Sequence, residues 1–237
     1  MAMETTHTSR NWAPQHFDAA ILDLDGTLVD TLGDFVAVLQ HMLHDLPEPF
    51  CGYTVLPQVV SRLVGRGSEN LISSVLNLAN GAGPASAALA AYPLAWQRYQ
   101  WHYHVINGQH AQVYDGVQKG LEQFKSWGWK LACVTNKPTA FATELLQAKG
   151  LAGFFDITYG GDAFDRKKPD PLPLIKACAG LGVRAERVLM VGDSSNDAQA
   201  ARAAGCPVLL VRYGYNHGLP IETVDADALT DSLESVF

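Results

Sequence analysis

The chain has 237 residues, of which 48 % are hydrophobic and 17 % charged; that is enough apolar material for one elaborated domain, or a core with a smaller insert, and it excludes wholesale disorder. The formal net charge of −7 argues against a nucleic-acid footprint and leaves no basic patch for a membrane surface, although a local site charge can still favour an anionic substrate. Residues 1–17 are polar, with no apolar stretch of signal-peptide type, and no apolar run approaches the roughly eighteen residues of a membrane span. The four cysteines, Cys51, Cys133, Cys178 and Cys206, form no CxxC pair, which suits reduced thiols better than disulfides or a zinc site. A cytoplasmic protein without nucleic-acid or membrane partners is expected, with monomer and homodimer both open.

Segment 19–25 is the first short apolar run and predicts a buried strand. From 32 to 108 the rhythm changes: helical patterns at 32–43, 57–64, 69–80 and 85–104 follow one another with no convincing strand. Gly81-Ala82-Gly83-Pro84 marks a turn among them. Beyond this stretch, strands at 131–136, 155–160, 188–193 and 208–213 alternate with helices at 116–127, 138–149, 171–180 and 197–204, the 155–160 run being the weakest. Such alternation predicts βαβ units and a parallel sheet covered on both faces. The expected fold is therefore α/β: a Rossmann-like parallel sheet from residues 1–31 and 109–237, plus a small all-helical cap from residues 32–108. Hinges are expected near 29–31 and 109–115.

In an open parallel sheet, ligands bind at the carboxyl ends of the strands. Four of these ends are polar: Asp23-Leu24-Asp25-Gly26-Thr27, Thr135-Asn136-Lys137, Gly160-Gly161-Asp162 and Gly192-Asp193-Ser194-Ser195-Asn196-Asp197. Strand pleating around Leu24 puts the Asp23 and Asp25 carboxylates on one face. Their mutual repulsion raises one pKa, and a hard divalent cation relieves it. A pair of helix caps is the structural alternative. Asp193 ends a strand and offers a third carboxylate, whereas Asp197, one turn later, suits an outer position orienting waters or Lys168; either Asp197 or Asn196 is also a plausible helix cap. Thr135 and Asn136 offer a phosphate cradle beside a helix start. Lys168 precedes a helix opened by proline and can neutralise a phosphoryl group, while Lys167 is expected in solvent.

Taken in order, Asp23-Leu24-Asp25-Gly26-Thr27, Thr135, Lys168-Pro169 and Gly192-Asp193-x-x-x-Asp197 resemble the four motifs of the haloacid dehalogenase-like hydrolases. The resemblance runs from about residue 19 to residue 215, with the helical insert where that superfamily carries a C1-type cap. Within it the chain is most similar to phosphoglycolate phosphatases, through Val64-Gly65-Arg66-Gly67, Tyr159-Gly160-Gly161-Asp162, the segment Val191–Asp197 and Tyr213-Gly214-Tyr215-Asn216.

The resemblance implies a magnesium-dependent phosphomonoesterase for a small phosphorylated metabolite, 2-phosphoglycolate first among them. It makes Asp23 the nucleophile that becomes an aspartyl-phosphate, and Asp25 the acid and then the base. Mg2+ would sit on the Asp23 side chain, the Asp25 backbone carbonyl and Asp193. Gly26, Thr27, Thr135 and Asn136 would contact the phosphate, Lys168 would offset its charge, and Arg66 is the candidate for the substrate carboxylate, with a plain flexible turn as its alternative. The rival readings are a sugar-phosphate mutase resembling β-phosphoglucomutase, a phosphatase for another phosphoester or pyrophosphate, a halide-removing enzyme, and an inactive phosphate-binding module. Trp96, Trp101, Trp127 and Trp129 are expected to pack the cap and the core edge. Cys133 reads as an inert core thiol, and His102 and His104 do not read as a metal pair.

Overall fold

A computed structural model describes residues 13–237, so most of the polar leader read from residues 1–17 lies outside the described residues. Strand β1 (Ala19–Leu22) is followed by the two-residue β2 (Val29–Asp30), by helices α1 (Leu32–His44), α2 (Pro57–Leu63), α3 (Ser68–Asn80) and α4 (Ala85–Ile106), and by the two-residue β3 (Gln112–Val113). The chain continues as α5 (Val117–Ser126), β4 (Lys130–Val134), α6 (Thr139–Ala148), β5 (Ile157–Tyr159), α7 (Leu172–Leu181), β6 (Val188–Gly192), α8 (Ser195–Ala204), β7 (Val208–Val211) and β8 (Ala228–Thr230).

A six-stranded parallel sheet runs in the order β5-β4-β1-β6-β7-β8. Because successive side chains point to opposite faces, the apolar strands feed two separate cores. Ala20, Leu22, Leu131, Cys133, Leu189 and Val191 pack with Leu121 and Phe124 of α5 and Leu145 of α6. Ala19, Ile21, Ala132, Val134, Val188 and Met190 pack on the other face with Leu174 and Ala177 of α7 and Ala198 and Ala201 of α8. Covered on both sides, these strands carry no polar alternation, which is why each reads as a continuous apolar run. The expected α/β architecture is the observed one.

Helices α1 to α4 gather around a third apolar cluster that includes Phe35, Leu39, Met42, Ile72, Leu76, Tyr99 and Tyr103. Two passages connect this segment to the sheet, and they pair as β2 and β3, antiparallel, with Val29 opposite Val113 and Asp30 opposite Gln112. The fully buried Asp34 carboxylate in the first turn of α1 accepts hydrogen bonds from the Gly108 and His110 amides at 2.6 and 2.7 Å. Both crossings are thereby clasped together. Two-residue strands carry no periodicity, so the sequence predicted hinges at these crossings but not their pairing.

Three expectations need correction. Strand β1 stops at Leu22, with Asp23 to Asp25 in the turn beyond it. Strand β8 was not anticipated, since its three partly buried residues form no apolar run. Trp101 does not pack the helical segment but is 61 % exposed, whereas Trp129 is buried and Trp96 and Trp127 are partly so against the two cores. Cys133 is fully buried, and burial pushes its thiol up, as expected of an inert core residue. His102 hydrogen-bonds Asp45 and stacks on His41.

Candidate active site

Central placement of β1 between β4 and β6 decides what meets at the sheet's carboxyl edge. Leu22 registers with Cys133 and with Val191, so Asp23 directly after it, and Thr135 and Asp193 two residues past their registered partners, all leave the sheet at the same edge. Leu24 is fully buried in the core, which leaves the flanking Asp23 and Asp25 free to turn toward the opposite side. Both line one cavity with Thr135, Asn136 and Lys137. Gly26 has φ +85°, and a side chain there would collide with the Asp193 carboxylate, so only glycine closes this turn.

Lys168, in the loop before α7, is buried. Its Nζ donates to the Val134 carbonyl and to Asp197 Oδ1, both at 2.7 Å, and lies 2.9 Å from Asp23 Oδ1. Apart from this ion pair, Asp23 Oδ1 is buried with no other donor among the described residues. Burial pushes the Asp23 carboxyl up to about 7, with Lys168 opposing and Asp197 and Asp25 adding to the rise. Burial likewise raises Asp193 well above the ordinary carboxylate range, with Asp197 and Asp23 adding to it. Burial would lower the Lys168 ammonium, yet Asp197 and Asp23 outweigh it and hold it raised.

Carboxylate oxygens of Asp23, Asp193 and Asp197 lie within 4.8 Å of one another, a group that could hold a metal ion. Their present partners differ. Asp197 is saturated: besides Lys168, its Oδ2 accepts from Ser194 Oγ at 2.7 Å and from the Ser194 and Asp193 amides at 3.1 and 3.2 Å. It closes a capping box on α8 with Ser194 as the N-cap, so the helix is capped by Ser194 rather than by Asn196 or Asp197. Asp193 accepts from Thr27 Oγ1 at 3.2 Å and from the Tyr215 amide at 2.7 Å.

Other residues singled out in the sequence fall differently. The Asn136 side-chain amide donates to the carbonyls of Gly65 and Lys168 at 2.9 and 2.8 Å, tying the helical segment to the sheet, and leaves its Oδ1 buried without a partner. Arg66 is exposed and outside the cavity lining, although Gly65 and Gly67 on either side belong to it. Lys167 pairs with Glu69 of α3 at 2.8 Å rather than standing free in solvent.

The sequence reading placed Lys137 at a strand end but gave it no role. Its ammonium is buried, 2.8 Å from Asp25 Oδ1, and 4.6 and 4.9 Å from the ring centroids of Phe35 and Tyr103. The signal available was its position directly after Thr135-Asn136, at the mouth of a central strand. Tyr215 was also passed over; its hydroxyl accepts from the Thr31 amide and donates to Asp30 at the crossing between sheet and helices.

Two carboxylates follow the central strand, with a buried lysine against one of them and further carboxylates one strand away. The family model for the haloacid dehalogenase-like hydrolases matches residues 20–211, and the chain belongs to that family. Among its relatives, a phosphoglycolate phosphatase of Thiobacillus denitrificans is 40 % identical over 93 % of this chain and 94 % of its own. A plasmid-borne phosphoglycolate phosphatase of Cupriavidus necator is 42 % identical over 92 % and 90 %. The crystal structure of a predicted phosphoglycolate phosphatase from Haemophilus somnus superposes with a TM-score of 0.85 at 29 % identity, covering 93 % of this chain and 96 % of that one. No described helix is long and apolar enough to cross a membrane.

Proposed function

We propose that the chain is a phosphomonoesterase hydrolysing 2-phosphoglycolate to glycolate and phosphate. The observation that carries this reading is Asp23: a buried carboxylate paired with a fixed lysine and facing an enclosed cavity. The phosphoglycolate phosphatases among its relatives supply the substrate.

In this reading the Asp23 carboxylate attacks phosphorus in line, and the ester oxygen leaves with a proton from Asp25. Asp25, now a carboxylate, takes a proton from water, and that water displaces phosphate from the aspartyl-phosphate and restores Asp23. Lys168 neutralises the transferring phosphoryl group, held in place by Asp197 and the Val134 carbonyl. Thr135 and the turn at Gly26 and Thr27 border the phosphate position. Asn136 acts chiefly through its hold on Gly65.

The donor set fits a hard divalent cation, because three buried carboxylates bring hard oxygens within 4.8 Å of one another. Mg2+ would be held by the Asp23 side chain, Asp193 and the Asp25 backbone carbonyl, and supplies Lewis acidity when bound. Asp197, with its oxygens already committed, positions Lys168 and the Asp193 backbone instead. Residues 32–108 act as a cap that opens and closes on the sheet domain of residues 1–31 and 109–237.

A phosphate-release screen with Mg2+ tests the reading, comparing 2-phosphoglycolate with sugar phosphates, nucleotides and pyrophosphate. The largest kcat/KM is expected for 2-phosphoglycolate. A higher value for any other class overturns the substrate, and isomerisation of a sugar phosphate without free phosphate overturns hydrolysis.

A further inference from the structure

We propose that Lys137 is the specificity-determining cation of this site, receiving a second anionic group carried on the carbon next to the ester oxygen. The proposal rests on the phosphomonoesterase reading above and deepens it. It assigns the selection of the phosphoester's adjacent carboxylate to a residue of the turn after β4 rather than to Arg66.

The cavity's cations do not stand alike. Lys168 already has a carbonyl and two carboxylates around its ammonium. Arg66 is exposed and does not line the cavity, and Lys167 is taken up by Glu69 outside it. Lys137 has one carboxylate partner, Asp25, and otherwise faces the rings of Phe35 and Tyr103 from above. A buried ammonium with a single carboxylate and two aromatic faces keeps capacity for another acceptor, since it carries three donors.

Position follows from the partner. Asp25 protonates the leaving oxygen, so it marks where that oxygen lies. An ammonium 2.8 Å from Asp25 Oδ1 then falls where a charge borne one carbon further would sit. The wall around it is prepared for an anion in two more ways. Tyr103 lines the same cavity, and its hydroxyl is buried with no hydrogen-bond partner among the described residues. Helix α3 begins on the cavity wall at Ser68, and its N-cap, Gly67, provides no side-chain acceptor for the first-turn amides. A substrate carboxylate can join Asp25 as a second acceptor for Lys137 and take up the orphaned hydroxyl.

The test compares kcat/KM for 2-phosphoglycolate and for ethyl phosphate, which has the same chain length and a neutral tail. It uses the wild type, Lys137→Met and Lys137→Arg. Any effect of Lys137 exerted through Asp25 alters both substrates alike and cancels in the ratio. The wild type is expected to favour 2-phosphoglycolate by about 100-fold or more, as sites with a dedicated polar partner do. Lys137→Met should cut that ratio by about tenfold or more, chiefly through the KM of the charged substrate, and Lys137→Arg should restore most of it. Should circular dichroism find Lys137→Met unfolded, Lys137→Gln, of similar length and polar, takes its place. A ratio kept within about threefold of wild type in the Met or Gln variant overturns the role of Lys137 alone. A wild type that hydrolyses both substrates without preference overturns the carboxylate-bearing substrate class itself.

Discussion

The floor and the roof of the cavity are built from opposite chemistry. The floor is charged: Asp23, Asp25 and Lys137 line it from the turns beyond β1 and β4, Asp193, Asp197 and Lys168 group beside Asp23 outside the lining, and all six are buried. The roof brings Phe35, Leu71, Tyr99 and Tyr103 from α1, α3 and α4, with glycines and Ser68 between them. Rigid strand ends hold charges at fixed spacing, as phosphoryl transfer demands. An apolar roof excludes water and strengthens the charge interactions beneath it. Charge is thus concentrated at the sheet's edge, and apolar cover on the helices above it.

The sharpest way to break this division is to disable the floor alone. Asp23→Asn keeps the shape and removes the nucleophile, and turnover of the best substrate should fall by about 10⁴-fold or more with the fold intact. Rate measurements with circular dichroism check it, and surviving turnover would remove Asp23 from the mechanism. Next in size is Asp197→Ala, which strips a carboxylate from buried Lys168 and opens the capping box on α8. Leaving a buried charge underpaired costs about 3–5 kcal/mol. Urea unfolding should show the midpoint falling with the slope unchanged, and turnover should fall too because Lys168 loses its anchor.

Floor and roof also differed in how well they could be read from the sequence. Buried parallel strands announce themselves as apolar runs, and the polar residues after them stand out, so Asp23, Asp25, Thr135, Lys168 and Asp193 could be singled out from spacing alone. Asp197 was legible too, but its hydrogen bonds to Ser194 and Lys168 were not, because they depend on how α8 and the Lys168 loop fold back. The roof has no such signature. Tyr99 and Tyr103 sit in a helix where aromatic residues are ordinary core, and only the packing of α4 over the sheet brings Tyr103 over Lys137, with Tyr99 against it. Arg66 stood out because of its charge and its flanking glycines, and the chain turns it outward. Lys137 was overlooked for the opposite reason, since lysines at turns are usually solvated and its burial comes from the helices packed above it.

A smaller effect sharpens the electrostatic side of the comparison. Burial pushes Asp23 and Asp193 up, Asp197 adds to both rises and Asp23 adds to that of Asp193, so a bound divalent cation should stabilise the floor without touching the roof. At a hundredfold excess of Mg2+ over its Kd the gain is about 2.7 kcal/mol, read as a rise in Tm that chelation with EDTA reverses. Asp193→Asn should abolish most of that gain. A Tm indifferent to Mg2+ in the wild type would argue that the carboxylates are satisfied by Lys168 alone.

The mildest change tests the roof. Tyr103 is almost fully buried and its hydroxyl has no hydrogen-bond partner, an arrangement that costs free energy in the absence of a ligand. Tyr103→Phe removes the orphaned group and keeps the ring that covers Lys137 and packs on Phe35 and Phe141. The substrate-free protein should therefore be unchanged or more stable by up to about 1 kcal/mol, seen as a Tm shift of a few degrees at most. The cost should appear only with substrate: KM for 2-phosphoglycolate should rise about two- to fivefold, with kcat held, because the hydroxyl acts in binding and not on the reacting atoms. A variant less stable than wild type would mean that the hydroxyl is already satisfied, by water or by movement of the helices, and the roof would then be a lid without a recognition role. Raised stability together with raised KM would show that the roof holds an unmet hydrogen bond in reserve for the substrate, the one polar contribution it makes to a site otherwise run from the sheet.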